Sequence, residues 1–151
     1  RRFCVLVAST REPQQRWLSS MAWKRVDGLR TIEFGAVGES RTKILDYLFN
    51  GNKRATAGLL EHDYQAEGEA IEEIGEVLVV LDNDLEEVGR IRVTRVELTT
   101  FGEVPDEFAL AEAEGDLSGD DFRESHSGFW SRMGYEVNDS TPIVLVYFDL
   151  L

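Results

Sequence analysis

The chain has 151 residues, 42% apolar and 30% charged, enough for one domain with its own hydrophobic core. Its 16 Lys and Arg stand against 29 Asp and Glu, and the net charge of −13 excludes broad electrostatic binding along phosphate backbones while leaving room for a local basic cleft. The single cysteine, Cys4, excludes a disulfide framework and a cysteine-rich zinc site, fits a reducing cytoplasmic setting, and no apolar run reaches the length of a membrane span.

In chain order, Phe3–Ala8 reads as a short extended segment, too short for a signal peptide core. Trp17, Leu18 and Met21 have helical spacing. "VDGLRTIEFGAVGES" (26–40) reads as loop, rich in turn formers. Ser40 is placed to cap a helix with apolar positions Ile44, Leu45 and Leu48, and Asn50-Gly51 ends it. "ATAGLL" starts a strand, and "HDYQAEGEAIEEIG" (62–75) is a polar, acidic loop.

Glu76–Asp82 reads as a buried strand, with Asn83-Asp84 turning into a second, Arg90–Leu98. In that second strand Ile91 and Val93 share one phase and Val96 and Leu98 the other, so a β-bulge is expected near Thr94-Arg95. Pro105 opens a short helix with an acidic end. Ser118 and Asp121 form a capping-box pattern before a helix bearing Phe122, His126, Phe129, Trp130 and Met133 as an apolar stripe. "TPIVLVYFDLL" closes the chain as a buried strand. This order is not the alternation of a parallel α/β sheet; it predicts an α+β fold with a small curved or closed sheet.

Several chemical patterns drop out. "GNKRAT" lacks the first glycine and the strand–helix context of a phosphate-binding loop, and His62 and His126 lack metal-ligand spacing to each other. What remains is Lys53, Thr56 and the acidic knot Glu112, Glu114 and Asp116. As plain structure, Lys53 is favourable charge at a helix C-terminus, Thr56 a strand residue and the acids a solvated face. As a site, a lysine in a pocket serves as base once desolvation weakens its hold on its proton. Threonine is then the nucleophile and a carboxylate moves the proton. His126 divides the same way, between a structural core-edge histidine and a ligand contact.

Gly-x-Lys-x-x-Thr (Gly51, Lys53, Thr56) does not stand by itself. It follows Phe34-Gly35 and precedes the strand end Leu81-Asp82, the run Ala-Glu-x-Glu-Gly-Asp (Ala111–Asp116) and the helix with His126, Phe129 and Trp130. Together these resemble the ASCH domain family, relatives of the PUA fold, over 34–151, with 1–33 outside the match. The resemblance implies a small curved, PUA-like β-barrel decorated by helices, with a cleft at the motif. It also implies two activities. One is hydrolysis of acetylated cytidine, with Lys53, Thr56 and Glu114 as the triad. The other is binding or cleavage of RNA, aided by a divalent metal (Mn or Mg), through Tyr47, Lys53 and a serine on the later helix, Ser125 or Ser127. Arg54, Asp116, His126 and Trp130 complete the implied ligand contacts. Phe122 stands where the family often has Trp, and Arg54-Ala55 departs from its usual Lys or Arg plus Thr. The expected partner is RNA or a modified nucleoside or nucleotide. The charge of −13 favours the small ligand, with Arg90, Arg92 and Arg95 as the local basic surface an RNA strand would need.

Overall fold

The computed structural model describes residues 23–151, so the expectations for Phe3–Ala8 and for Trp17–Met21 lie outside the described residues. Among the described residues, six strands form one sheet: β1 (Arg25–Val26), β2 (Leu29–Ile32), β3 (Ala55–Leu59), β4 (Val77–Leu81), β5 (Glu87–Thr100) and β6 (Pro142–Leu150). Three α-helices of the same residues, α1 (Glu39–Phe49), α2 (Asp106–Glu112) and α3 (Gly119–Arg132), pack on it. Among the described residues, no helix is long and apolar enough to cross a membrane.

The strand order is β1-β2-β4-β5-β6-β3, with β2 parallel to β4 and the other pairs antiparallel. This corrects the expected barrel. Closure would require the two outer strands, β1 and β3, to pair with each other, and they do not. The α+β architecture stands, as an open mixed sheet.

The expected bulge is present: Val93 pairs with Phe148 and Arg95 with Tyr147, leaving Thr94 as the extra residue. Val93 and Val96 are three apart and would face opposite sides of a regular strand. The extra residue returns Val96 to the face of Val93, where it packs against the same core.

Strand β6 is buried from Ile143 to Phe148, so it feeds both faces of the sheet. Val144, Val146 and Phe148 join Leu78, Val80, Ile91 and Val93 under α1. Ile143, Leu145 and Tyr147 join Ala55, Ala57 and Leu59 under α2 and α3, through Phe108, Phe122 and Trp130. The result is helix–sheet–helix, with β3 at an edge between the two helical layers.

Three local expectations are corrected. The segment read as loop, 26–40, contains a hairpin: Asp27 and Gly28 take left-handed φ values of 51° and 75°, the geometry of a two-residue hairpin turn. The N-cap of α1 is Gly38, not Ser40, and no side chain caps it. Instead Asn83, from the β4–β5 turn, accepts from the Gly38 N–H at 2.7 Å and donates to its carbonyl at 3.2 Å. The acidic loop 62–75 overlaps a π-helical turn, Leu60–Gln65. It forms where Asp63 accepts the Leu59 N–H at 2.7 Å and closes the end of β3.

Candidate functional site

Helix α1 ends as its sequence directs. Asn50 is the C-cap, Gly51 has φ +85°, and the N–H groups of Asn52 and Lys53 both donate to the Tyr47 carbonyl at 3.1 Å. This turn sends Lys53 inward. Its side chain is fully buried, so the charge is not a solvated helix-end charge. The ammonium donates to Glu114 Oε2 at 3.0 Å and to the Glu112 carbonyl at 3.4 Å, and lies 5.5 Å from the centre of the Phe34 ring.

The two glutamates reach the same place because α2 ends abruptly between them. Ala113 adopts the left-handed conformation (φ 55°, ψ 33°), and Glu112 and Glu114 converge across that reversal. A non-glycine residue there costs about 1–2 kcal/mol, more than the ~0.4–1 kcal/mol of unfolded-chain entropy that glycine adds. Ala113→Gly is therefore expected to raise the melting temperature by a few degrees in calorimetry; a fall would show that the Ala113 methyl packs productively.

Helix α3 supplies the remaining wall. Its N-cap is Ser118, whose hydroxyl accepts from the Asp121 N–H at 3.1 Å. The reciprocal bond goes one residue further back than in a capping box, from the Leu117 N–H to Asp121 Oδ2 at 3.0 Å. His126 stacks on Phe122, with ring centres 3.9 Å apart. Its Nδ1 meets the Phe122 carbonyl at 3.1 Å, and its Nε2 lies 3.1 Å from Glu112 Oε1. Nδ1 also lies 3.0 Å from the Ser125 hydroxyl, and Glu112 Oε1, though close to Nε2, makes no hydrogen bond among the described residues. Ser125 Oγ donates to Asp116 Oδ2 at 2.8 Å and holds that carboxylate 3.6 Å from His126 Nδ1.

Electrostatics separate the two glutamates. Burial opposes ionisation of Glu112, yet Lys53 and then His126 outweigh it and hold its carboxyl below the usual range. Burial lifts Glu114 above that range, Lys53 opposing and Glu112 adding to the rise. Burial works against the His126 cation, but Glu112, Glu114 and Asp116 together raise its proton affinity above that of an ordinary imidazole.

These groups surround a cavity of about 200 Å³ beside the outer edge of β3. Lys53, Thr56, Glu112, Glu114, Asp116, Ser125 and His126 give its polar lining; Phe34, Gly35, Ile44 and Phe129 give apolar walls. Gly35 has φ +63°, and a methyl group there would sit 2.5 Å from Ile44 Cδ1. Drug-sized ligands occupy roughly 300–1,000 Å³, so this cavity suits a fragment the size of one base.

Of the sequence candidates, Lys53, Thr56, Glu114, Asp116, Ser125 and His126 therefore meet. Four do not line the cavity. Tyr47 contributes its carbonyl to the Lys53 turn while its ring lies 5.9 Å from Lys43 Nζ. Arg54 folds back, donating to the Lys53 carbonyl at 2.8 Å. Ser127 is exposed on α3. Trp130 is corrected outright: at 1% exposure, packed against Phe101 and Phe122, it is core and presents no face to a ligand. Phe129, one residue earlier, is the aromatic wall. Of the three strand arginines, Arg90 pairs with Asp27 and Glu87, Arg95 pairs with Glu97 and Glu107, and Arg92 is exposed. Glu112, named in the acidic knot but given no role there, also lines the cavity, as does Phe34 of the Phe34-Gly35 pair.

The ligating atoms of Glu112, Glu114 and His126 lie within 4.8 Å of one another. Two carboxylates and an imidazole are a donor set that a divalent ion accepts, and the Lys53 ammonium, 3.0 Å from Glu114, competes for one of them.

A family model described as "ASCH domain" matches residues 30–151. A crystal structure of an ASCH domain from Lactobacillus crispatus JV V101 is 28% identical, covers 91% of this chain and 90% of its own, and superposes with a TM-score of 0.67. A protein of Enterococcus faecalis V583 is 25% identical over 79% of this chain and 74% of its own, with a TM-score of 0.68. No curated protein matches the chain.

Proposed function

The chain belongs to the ASCH domain family, a PUA-like family generally associated with RNA, and from that premise and the geometry of the cavity we propose that it hydrolyses the N-acyl group of a modified pyrimidine nucleoside of the acetylcytidine type. The observation that supports this most is the bond from Lys53 to Glu114 inside a cavity that also contains the Thr56 side chain.

Lysine is a base only after giving up its own proton, and Glu114, whose burial favours the protonated acid, is the acceptor 3.0 Å away. The neutral amine then takes the Thr56 hydroxyl proton as Oγ attacks the acyl carbon. The carbon–nitrogen bond breaks, Glu114 gives its proton to the leaving amine, and the acyl group stays on Thr56 as an ester. Water attacks that ester, Lys53 and Glu114 move the protons in the same order, and the carboxylic acid leaves with the threonine restored. The pyrimidine ring has Phe129 and Phe34 as apolar walls.

The same features give a long RNA strand little to hold. Arg90 and Arg95 are neutralised by neighbouring acids, and the Tyr47 ring stands outside the cavity. The reading is tested by following a panel of N-acylated nucleosides with purified wild-type protein and Lys53→Ala. Wild type is expected to release the free nucleoside from at least one N4-acyl cytidine, and Lys53→Ala to be at least roughly a hundredfold slower. Equal inactivity of both proteins across the panel would remove the reading.

A further inference from the structure

Glu112 is 2% exposed and lines the cavity, yet its Oε1 makes no hydrogen bond among the described residues. A buried carboxylate oxygen in that state calls for a donor or a cation from outside the chain. His126 Nε2 stands 3.1 Å away without being hydrogen-bonded to it. Around an octahedral ion with bonds of about 2.1 Å, neighbouring donor atoms lie about 3 Å apart and bond to the ion rather than to each other. The two atoms have that separation.

The surroundings agree. His126 is held by its other nitrogen: Nδ1 meets the Phe122 carbonyl at 3.1 Å and the Ser125 hydroxyl at 3.0 Å, and the ring stacks on Phe122. Outer partners orient a ligating imidazole in this way, with the second nitrogen left for the ion. Glu114 completes a set of three donor atoms within 4.8 Å of one another. Opposite ligands of such an ion are about 4.2 Å apart, so a small side-chain movement closes the set. Lys53 is bonded to Glu114 Oε2, and a carboxylate has a second oxygen to give. The charged lining of the cavity is Lys53 against Glu112, Glu114 and Asp116. With a neutral imidazole this leaves an excess of two negative charges, which one divalent cation cancels.

We propose that Glu112, Glu114 and His126 form a binding site for one divalent first-row transition ion, with Glu112 and His126 as its fixed ligands and Glu114 shared with Lys53. An imidazole beside the carboxylates favours such an ion over Mg²⁺ or Ca²⁺, which prefer oxygen alone. The site stands on the donor atoms and is independent of the reaction proposed above.

The test uses the full chain, stripped of metal with a chelator, and Mn²⁺ as the probe. Physiological salt screens the acidic surface, and mildly alkaline pH frees His126 of its competing proton. EPR of the free ion is expected to show one Mn²⁺ bound per chain in the micromolar range, and pulsed EPR one directly coordinated nitrogen. Zn²⁺ at equal concentration displaces the ion and Mg²⁺ does not. Glu112→Gln and His126→Gln each weaken binding by about tenfold or more, and His126→Gln also abolishes the nitrogen coupling. Lys53→Met, which removes the competing ammonium, tightens binding by about threefold or more. Asp120→Asn, at a 93% exposed carboxylate on α3, leaves binding unchanged. A free-ion signal that wild-type protein leaves undiminished overturns the proposal, and that result needs no variant to fold. A bound ion without nitrogen coupling overturns it too. So does equal binding by wild type and Glu112→Gln, which would put the ion on the acidic surface.

Discussion

Thr56→Ala lowers turnover of N-acyl nucleosides by roughly a thousandfold or more, as loss of a nucleophile does, while the protein stays folded. Thr56 lies on β3, opposite Val146 of β6, so its side chain is placed by the sheet rather than by a loop. It is 6% exposed and lines the cavity with Lys53. Two other hydroxyls line it. Ser125 is engaged by Asp116 and the Phe122 carbonyl, and Ser40 stands on α1 near Gly35. Truncating Thr56 removes one methyl and one hydroxyl from an edge strand, a stability cost of about 1 kcal/mol or less. Thr56→Ser keeps the hydroxyl and is expected to retain a measurable part of the rate. Turnover by Thr56→Ala within about tenfold of wild type would move the nucleophile to Ser40 or to a water molecule.

The largest expected effect on stability belongs to Arg41. Its side chain is fully buried, donating to the carbonyls of Phe34, Gly35 and Asp82 at 3.2 Å and pairing with Glu33 at 3.3 Å. One guanidinium thus ties α1 to the loop after β2 and to the end of β4. Arg41→Met fills much of the volume but leaves these acceptors without their donor. The expected loss is about 3–5 kcal/mol, a large part of the total for a domain this size, read by urea denaturation. Phe34 and Gly35 form one wall of the cavity, so the folded fraction should also bind ligand more weakly. A loss under about 1 kcal/mol would mean that water replaces the guanidinium readily.

Much of this was legible in the residues. The bulge at Thr94 follows from a phase change between Val93 and Val96, a purely local signal. The end of α1 follows from Asn50-Gly51, and the convergence of Lys53 on Glu114 from the resemblance of the spaced motifs. What escaped was decided by distant chain. The N-cap of α1 is satisfied by Asn83 across 45 residues, which no local pattern discloses. The hairpin at Asp27-Gly28 carried its own turn signal but lay in strands of two and four residues, too short to show alternation. Trp130 and Phe129 are adjacent on one helix, and only packing shows which is core and which is cavity wall. Glu112 and Glu114 look alike in sequence; only the fold shows that Glu114 meets the Lys53 ammonium while Glu112 lies beside His126.

The central claim is that this cavity cleaves an N-acyl bond, and proton NMR of N4-acetylcytidine mixed with the wild-type protein tests it most directly. The account predicts that the acetyl methyl signal of the nucleoside is replaced, one for one, by that of free acetate as cytidine appears. An acetyl signal that stays undiminished on this and related N-acyl nucleosides, while the protein binds or cuts single-stranded RNA, would contradict it.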